Sequence, residues 1–157
     1  MPTPNQLQPG DQAPDFTLTS AAGTPFGLGD LLGQKTVLYF FPVAGTLGCT
    51  REANDFNDAL PEFTGLGYRV VGTSPDSVEK LASFGTQNQL GFTLLSDPDI
   101  AVHKRFGAWG EKSIIGRLWR GVLRSTIVMD ETGKVTHALY AVNATDHVKT
   151  LLELLKA

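Results

Sequence analysis

The residue with the most chemistry in this chain is its single cysteine, Cys49. It stands where the apolar run Thr36 to Phe41 (TVLYFF) has ended and a helical pattern begins. At such a junction the first backbone N–H groups of the helix are unpaired and the positive end of its dipole points at the side chain. Both favour a thiolate, the form of cysteine that attacks electrophiles. Thr46, three residues earlier, carries a hydroxyl that can donate to the thiolate or to a bound oxygen. Glu52, one turn later, places a carboxylate nearby. Alone it works against a thiolate; paired with a cation it orients that cation. Each residue also has a plainer reading. A lone cysteine is commonly a small buried hydrophobe. Thr46 alone is a turn residue or helix cap, Glu52 alone an acid near the helix dipole, and Arg124 alone an exposed strand charge.

The elements that must position these residues follow from periodicity. TVLYFF is a continuous β-branched and aromatic run, as expected of a strand buried on both faces. Pro42 ends it, and Gly48 to Phe63 is expected to be one helix. Tyr68 to Thr73 is a second buried strand. Ser74-Pro75-Asp76 is expected to open a helix running to about Gln89, with Ser74 as its cap. Phe92 to Leu95 is a short strand, and Asp97-Pro98 starts a helix reaching about Phe106. The Gly-bearing, mixed segment Trp109 to Gly121 is expected to be a loop. Arg124 to Met129 and Lys134 to Tyr140 flank Asp130-Glu131-Thr132-Gly133, a hairpin signal. Thr145-Asp146 caps a last helix whose Val148, Leu151, Leu152 and Leu155 form one apolar face. Before all of these, a loose polar arm leads to a short strand, Asp15 to Thr19, and a turn or hairpin at Gly23 to Leu28. This order points to an α/β protein with a mixed central sheet flanked by helices, a thioredoxin-like layout. Alternation alone would equally permit a flavodoxin-like sheet.

Composition narrows the function classes. The chain has 157 residues, consistent with a single domain over 1–157, with 41% hydrophobic and 18% charged residues. A formal net charge of -3 argues against nucleic acid as a partner. No apolar run is long enough to span a bilayer, and the first residues show no signal-peptide pattern. One cysteine rules out an internal disulfide and a Cys-rich metal site, and a free thiol suits a reducing cytoplasm. His103, His137 and His147 are scattered and are expected to be surface or structural, so no metal or organic cofactor is implied.

The segment PVAGTLGCT, Pro42 to Thr50, resembles the peroxiredoxins: Pro, three residues, Thr, two residues, Cys. Gly48-Cys49-Thr50-Arg51-Glu52-Ala53 looks most like the bacterioferritin comigratory protein, or peroxiredoxin Q, branch. DQAPDFTL, SPDSVEK, LLSDPD, EKSIIG and RSTIVMDETGK resemble that branch in the same order, so the likeness covers nearly the whole chain. The resemblance implies a peroxiredoxin-type thioredoxin-like fold with an N-terminal extension, and a thiol-dependent peroxidase acting on hydrogen peroxide and organic hydroperoxides. It implies that Cys49 is the peroxidatic cysteine and becomes a sulfenic acid. Thr46 would bind the peroxide, Pro42 would shield the thiolate, and Arg124 would favour the thiolate and polarise the peroxide while Glu52 holds the guanidinium. Many members of the branch carry a resolving cysteine five residues after the peroxidatic one, where this chain has Asn54, or on the next long helix, where it has Gly85. This chain therefore looks like a one-cysteine variant that needs an external thiol: a thioredoxin- or glutaredoxin-like protein or a small thiol. A monomer or weak dimer is expected.

Two rivals stand beside that reading. A peroxide sensor, holdase or binding module on the same fold would have no need of the full Pro42, Thr46, Cys49, Arg124 set. A thioredoxin-type oxidoreductase normally needs Cys-x-x-Cys, and Thr46 occupies the first of those positions. Phe40, Phe41, Trp109 and Trp119 are candidates for an apolar entrance, with core packing the plainer role for the first two.

Overall fold

The computed structural model describes residues 6–114 and 116–157, and of 112–114 and 117–119 the backbone alone. Its organising element is β3 (Lys35–Phe40), buried along all but its first residue. On one side β3 pairs in parallel with β4 (Tyr68–Ser74), which pairs in parallel with β5 (Thr93–Ser96). On the other it pairs antiparallel with β8 (Ser125–Met129), which is followed by β9 (Val135–Leu139). The N-terminal hairpin, β1 (Thr17–Ser20) and β2 (Pro25–Gly27), closes the far edge against β5. The resulting seven-stranded order is β2-β1-β5-β4-β3-β8-β9. Its antiparallel members decide against the flavodoxin-like alternative, which is a parallel sheet.

Because side chains alternate along a strand, β3 feeds two cores. Val37 and Tyr39, with Phe41 just beyond, face Cys49, Phe56, Phe63, Leu81, Phe84 and Leu151. Leu38 and Phe40 face Phe16, Val102, Phe106, Met129 and Val135. The first face is covered by α2 (Leu47–Asp58), α3 (Leu60–Gly65), α4 (Val78–Gln87) and α6 (His147–Lys156). The second is covered by α5 (Ala101–Arg105), with Leu31 of the single-turn α1 (Leu28–Leu31). Among the described residues no helix is long and apolar enough to cross a membrane.

Several expected boundaries move, each for a local reason. The helix expected over Gly48 to Phe63 is two helices. Pro61 sits in the first turn of α3, and a proline in a helix interior removes a hydrogen bond and clashes with the preceding turn. Ser74 ends β4 rather than capping α4, because Ser77 does the capping by accepting from the Lys80 N–H. The helix expected from Asp97 begins at Ala101, with Asp97 reaching forward to accept from the N–H groups of Val102 and His103. Asp146 lies at the N-terminus of α6 with positive φ but makes no side-chain cap bond.

The segment expected as a loop is instead a hairpin, β6 (Trp109–Ile114) and β7 (Arg117–Val122), forming a two-stranded sheet of its own among the described residues. Its glycines hid it: Gly110 and Gly121 face each other across the ladder, and Glu111 faces Arg120. Opposite charges on facing residues stabilise such a pair, so a polar, Gly-bearing run can still be a ribbon.

One close approach in the sheet gives a test. A Cβ on Gly72 would lie 2.8 Å from Cε1 of Tyr39, whose side chain is fully buried and cannot swing away. Gly72→Ala is expected to destabilise the fold by about 1–3 kcal/mol, as overpacking does. Gly29→Ala, with nothing within 4 Å of the new carbon, is not. Urea denaturation of the two variants checks the contrast.

Candidate active site

The β3–β8 register places Arg124 beside the exit of β3, one residue beyond the Phe40–Ser125 pair. The chain leaves β3 through Pro42, turns at Gly45 with φ 88, and enters α2 behind Thr46. Cys49 is the third residue of α2, within the stretch whose N–H groups have no intrahelical acceptor. Its sulfur is recessed, at 1% exposure. Three residues on, Glu52 faces the same way, and with Ala53 and Phe56 it forms the buried face of the helix.

These placements meet at one guanidinium. Arg124 donates from Nη2 to Cys49 Sγ at 3.3 Å and from Nη1 to Glu52 Oε1 at 2.6 Å. The arginine is 16% exposed and the glutamate wholly buried. Burial pushes Glu52 up to about 7, against the pull of the Arg124 charge and hydrogen bond. Burial would lower Arg124, but the facing Glu52 and Cys49 outweigh it and hold the guanidinium above its ordinary value. Glu52 is thus no first-turn dipole acid; it stands in the second turn and faces an arginine.

A second ring of contacts holds the arginine's strand. Arg124 O accepts from Val142 N–H at 2.9 Å. Ala144 stands over Gly48: a Cβ on that glycine would lie 3.6 Å from Ala144 Cβ and 3.5 Å from Arg124 Nη2. His147 then bonds Thr126 Oγ1 through Nε2 at 2.8 Å, fastening the start of α6 to β8. Burial, and secondarily Arg124, lowers His147 to about 4, so it is neutral at pH 7. Beneath the site, the Tyr39 ring stacks on Phe56 at 4.4 Å and its hydroxyl is buried without a partner among the described residues. Burial first, then Glu52 and Cys49, raises the Tyr39 hydroxyl well above its ordinary value.

Cys49, Glu52 and Arg124, expected together from the sequence, are in contact. Thr46 stands at the rim as the helix N-cap residue, its hydroxyl donating to Val43 O at 2.8 Å rather than to the sulfur. Pro42 is half-buried at the same rim. Phe40 and Phe41 are core residues, at 0% and 1% exposure, so they do not line an entrance. Trp109 is half-buried beneath the Lys104 ammonium, and the Trp119 side chain lies outside the described residues. Between Pro42 and Cys49 the exposed large apolar side chains are Val43 and Leu47, at 41% and 90%. The histidines are structural in two cases: His103 is buried against Asp97 at 2.6 Å, and His147 binds Thr126. His137 is half-buried and pairs with Thr136. Sequence reasoning gave no role to Tyr39 or Thr126, and read His147 as surface or structural without its partner. The alternation in TVLYFF puts Tyr39 on the face of Val37 and Phe41, which was a usable signal. Nothing local marks the other two.

Residues 9–138 match the model of the AhpC/TSA family. A putative peroxiredoxin of Mycobacterium tuberculosis H37Rv is 51% identical over 146 residues, 93% of each chain. The peroxiredoxin Bcp of Escherichia coli K12 is 40% identical over 152 residues, 97% of each. Among solved structures, a cysteine-to-serine variant of the Xylella fastidiosa peroxiredoxin Q superposes with a TM-score of 0.88, at 31% identity over 96% of each chain. The bacterioferritin comigratory protein of Xanthomonas campestris, studied for its alkyl peroxide reduction activity, superposes with a TM-score of 0.83, at 35% identity over 90% of each.

The raised Glu52 has a consequence for stability. A carboxyl whose folded value lies above its ordinary 4.5 stabilises the fold fully below that value and loses the contribution as pH rises to about 7. Wild type is expected to lose stability relative to Glu52→Gln across that window, by on the order of 3 kcal/mol. Urea unfolding at pH 5 and pH 8 measures the difference.

Proposed function

The chain belongs to the AhpC/TSA family as a peroxiredoxin of the Bcp or Q type, a thiol-dependent peroxidase, and from that premise we propose that Cys49 is its peroxidatic residue. The carrying observation is the guanidinium that bridges the sulfur and a buried carboxylate. The Cys49 thiolate attacks one peroxide oxygen; an S–O bond forms as the O–O bond breaks. Sulfur is oxidised to the sulfenic acid, and the departing oxygen takes up the proton the thiol had given to solvent, leaving as water or an alcohol. Arg124 stabilises the thiolate and the charge growing on the leaving oxygen. Glu52 fixes the fork of the guanidinium. Because the Thr46 proton is already donated to Val43 O, its oxygen is free to accept from the peroxide O–H. Pro42, at the same rim, screens the sulfur from water.

Recycling follows from having one thiol. Asn54 donates to Thr50 O and Asn88 Oδ1, and Gly85 lies within α4, so neither position offers sulfur. An external thiol condenses with the sulfenic acid, releasing water and forming a mixed disulfide. A second thiol then frees Cys49. The first thiol is a small one, and a glutaredoxin-like protein supplies the second. The same reading treats residues 1–157 as one domain, since one sheet carries both core clusters. It places the protein in the cytoplasm, where a free thiol stays reduced. It takes the protein as a monomer or weak dimer, since few large apolar side chains are exposed among the described residues.

Cys49→Ser is expected to abolish peroxide consumption while the melting curve stays near wild type. Arg124→Ala is expected to slow peroxide consumption by about 10²-fold or more, and to slow Cys49 alkylation at pH 7. Arg124→Lys is also expected to be impaired, because an ammonium cannot bond sulfur and carboxylate as a planar fork does.

Intact mass spectrometry reads the recycling route. Peroxide alone is expected to add two or three oxygens, since nothing internal competes for the sulfenic acid. A small thiol present from the start is expected to give an adduct instead. A covalent dimer as main product under both conditions would show that a second subunit resolves the sulfenic acid.

A further inference from the structure

Asp76 lies in the turn between β4 and α4 and contacts neither the sulfur nor Arg124. Its side chain is 8% exposed. Oδ2 accepts from the Ala44 backbone N–H at 2.7 Å and from the Ser74 hydroxyl at 2.8 Å. Oδ1 faces Lys80 Nζ at 2.9 Å. The turn that carries it is itself fastened. Asp76 N–H donates to Ser74 Oγ at 3.1 Å, and Ser96 Oγ donates to Asp76 O at 2.6 Å.

The Ala44 N–H is the midpoint of the segment from Pro42 to Thr46 that forms the rim of the active site. Below it the chain is held by the bond from Phe41 N–H to Thr73 O at 3.0 Å, and the Ala44 side chain is packed in the core. Above it Gly45 turns the chain with positive φ towards Thr46. Among the described residues Asp76 is thus the one charged group tying that segment to β4 and α4. A carboxylate bond to a backbone N–H is stronger than a neutral one, and losing it strands the N–H.

We propose that Asp76 is a positioning residue for peroxide binding: its carboxylate sets the Pro42–Thr46 segment so that the Thr46 oxygen meets the peroxide, without contributing to the charging of Cys49. The inference rests on the function proposed above. The two tasks separate because Arg124 and Glu52 are held by each other, by α2 and by β8, while Asp76 holds the segment before α2.

The separation is measurable as two rates on the full-length protein: peroxide consumption with a fixed thiol, and alkylation of Cys49 by iodoacetamide at pH 7. Asp76→Ala is expected to slow peroxide consumption by about 10- to 100-fold, the scale of a misplacement near 1 Å. Alkylation is expected to stay within about twofold, because iodoacetamide needs the thiolate but not the peroxide's acceptor. Asp76→Asn keeps an oxygen for the Ala44 N–H without the charge, and is expected to lose about three- to tenfold in the first rate alone. Wild-type peroxide rates in Asp76→Ala, or equal losses in both rates, would overturn the proposal. If Asp76→Ala does not fold, Asp76→Asn decides by the same comparison. Equal peroxide rates in wild type and Cys49→Ser would instead overturn the reading of the site itself, and this inference with it.

Discussion

The structure around the reactive sulfur depends on one positive charge shared between two acceptors. Arg124 must reach both Cys49 and Glu52, and Glu52 has no exposure at all. A buried carboxylate without a cation would cost several kcal/mol and would take up a proton instead. The pair therefore requires that α2 and the start of β8 meet at one height. That height is set by the β3–β8 register, since the strand that delivers the chain to α2 also carries the neighbour of Arg124. A slip of one residue in the pairing would turn the arginine to the other face of the sheet. The Tyr39 ring stacked on Phe56 packs α2 against β3.

Holding and charging are arranged as separate tasks. The guanidinium and its two acceptors form a closed group on α2 and β8. The rim segment is tied to β4 and α4 through Thr73 O and Asp76. The loop before α6 supplies a third wall, with Ala144 over Gly48 and His147 bonded to Thr126. His147 is neutral at pH 7, so it adds a hydrogen bond there without a second positive charge to compete for the carboxylate. Three independent tethers thus converge on a site whose own side chains are few.

Much of this was legible from residue types alone, and the limits are physical. TVLYFF, YRVVGT and the Asp130–Gly133 turn carry strong local signals, and all fall where periodicity put them. Cys49 and Glu52 share a helix face by spacing. Their partnership with Arg124, 75 residues from the cysteine, was carried by family likeness and not by any local pattern. The β6–β7 ribbon escaped because its stability lies in cross-strand pairs, Gly110 with Gly121 and Glu111 with Arg120, which no window along the chain contains. In the sequence Asp76 reads as part of a helix start. Its second task depends on where β4 lies relative to the end of β3, which only the assembled sheet defines.

The absence of a second sulfur also bears on how α2 is built. Asn54 joins α2 to the end of α4 through Asn88. Asn57, one turn further, donates to Gln89 O and accepts from the Gly91 N–H. Side-chain amides that satisfy backbone groups at a helix end make that end costly to open. An internal resolving cysteine would have to reach Cys49, and reaching it would break such contacts. An external thiol would make no such demand on the helix. Asn54 and Asn57 would then keep their bonds to Asn88, Gln89 and Gly91. Asn54 tethers α2 to the end of α4 through Asn88, and Gly85 lies within α4.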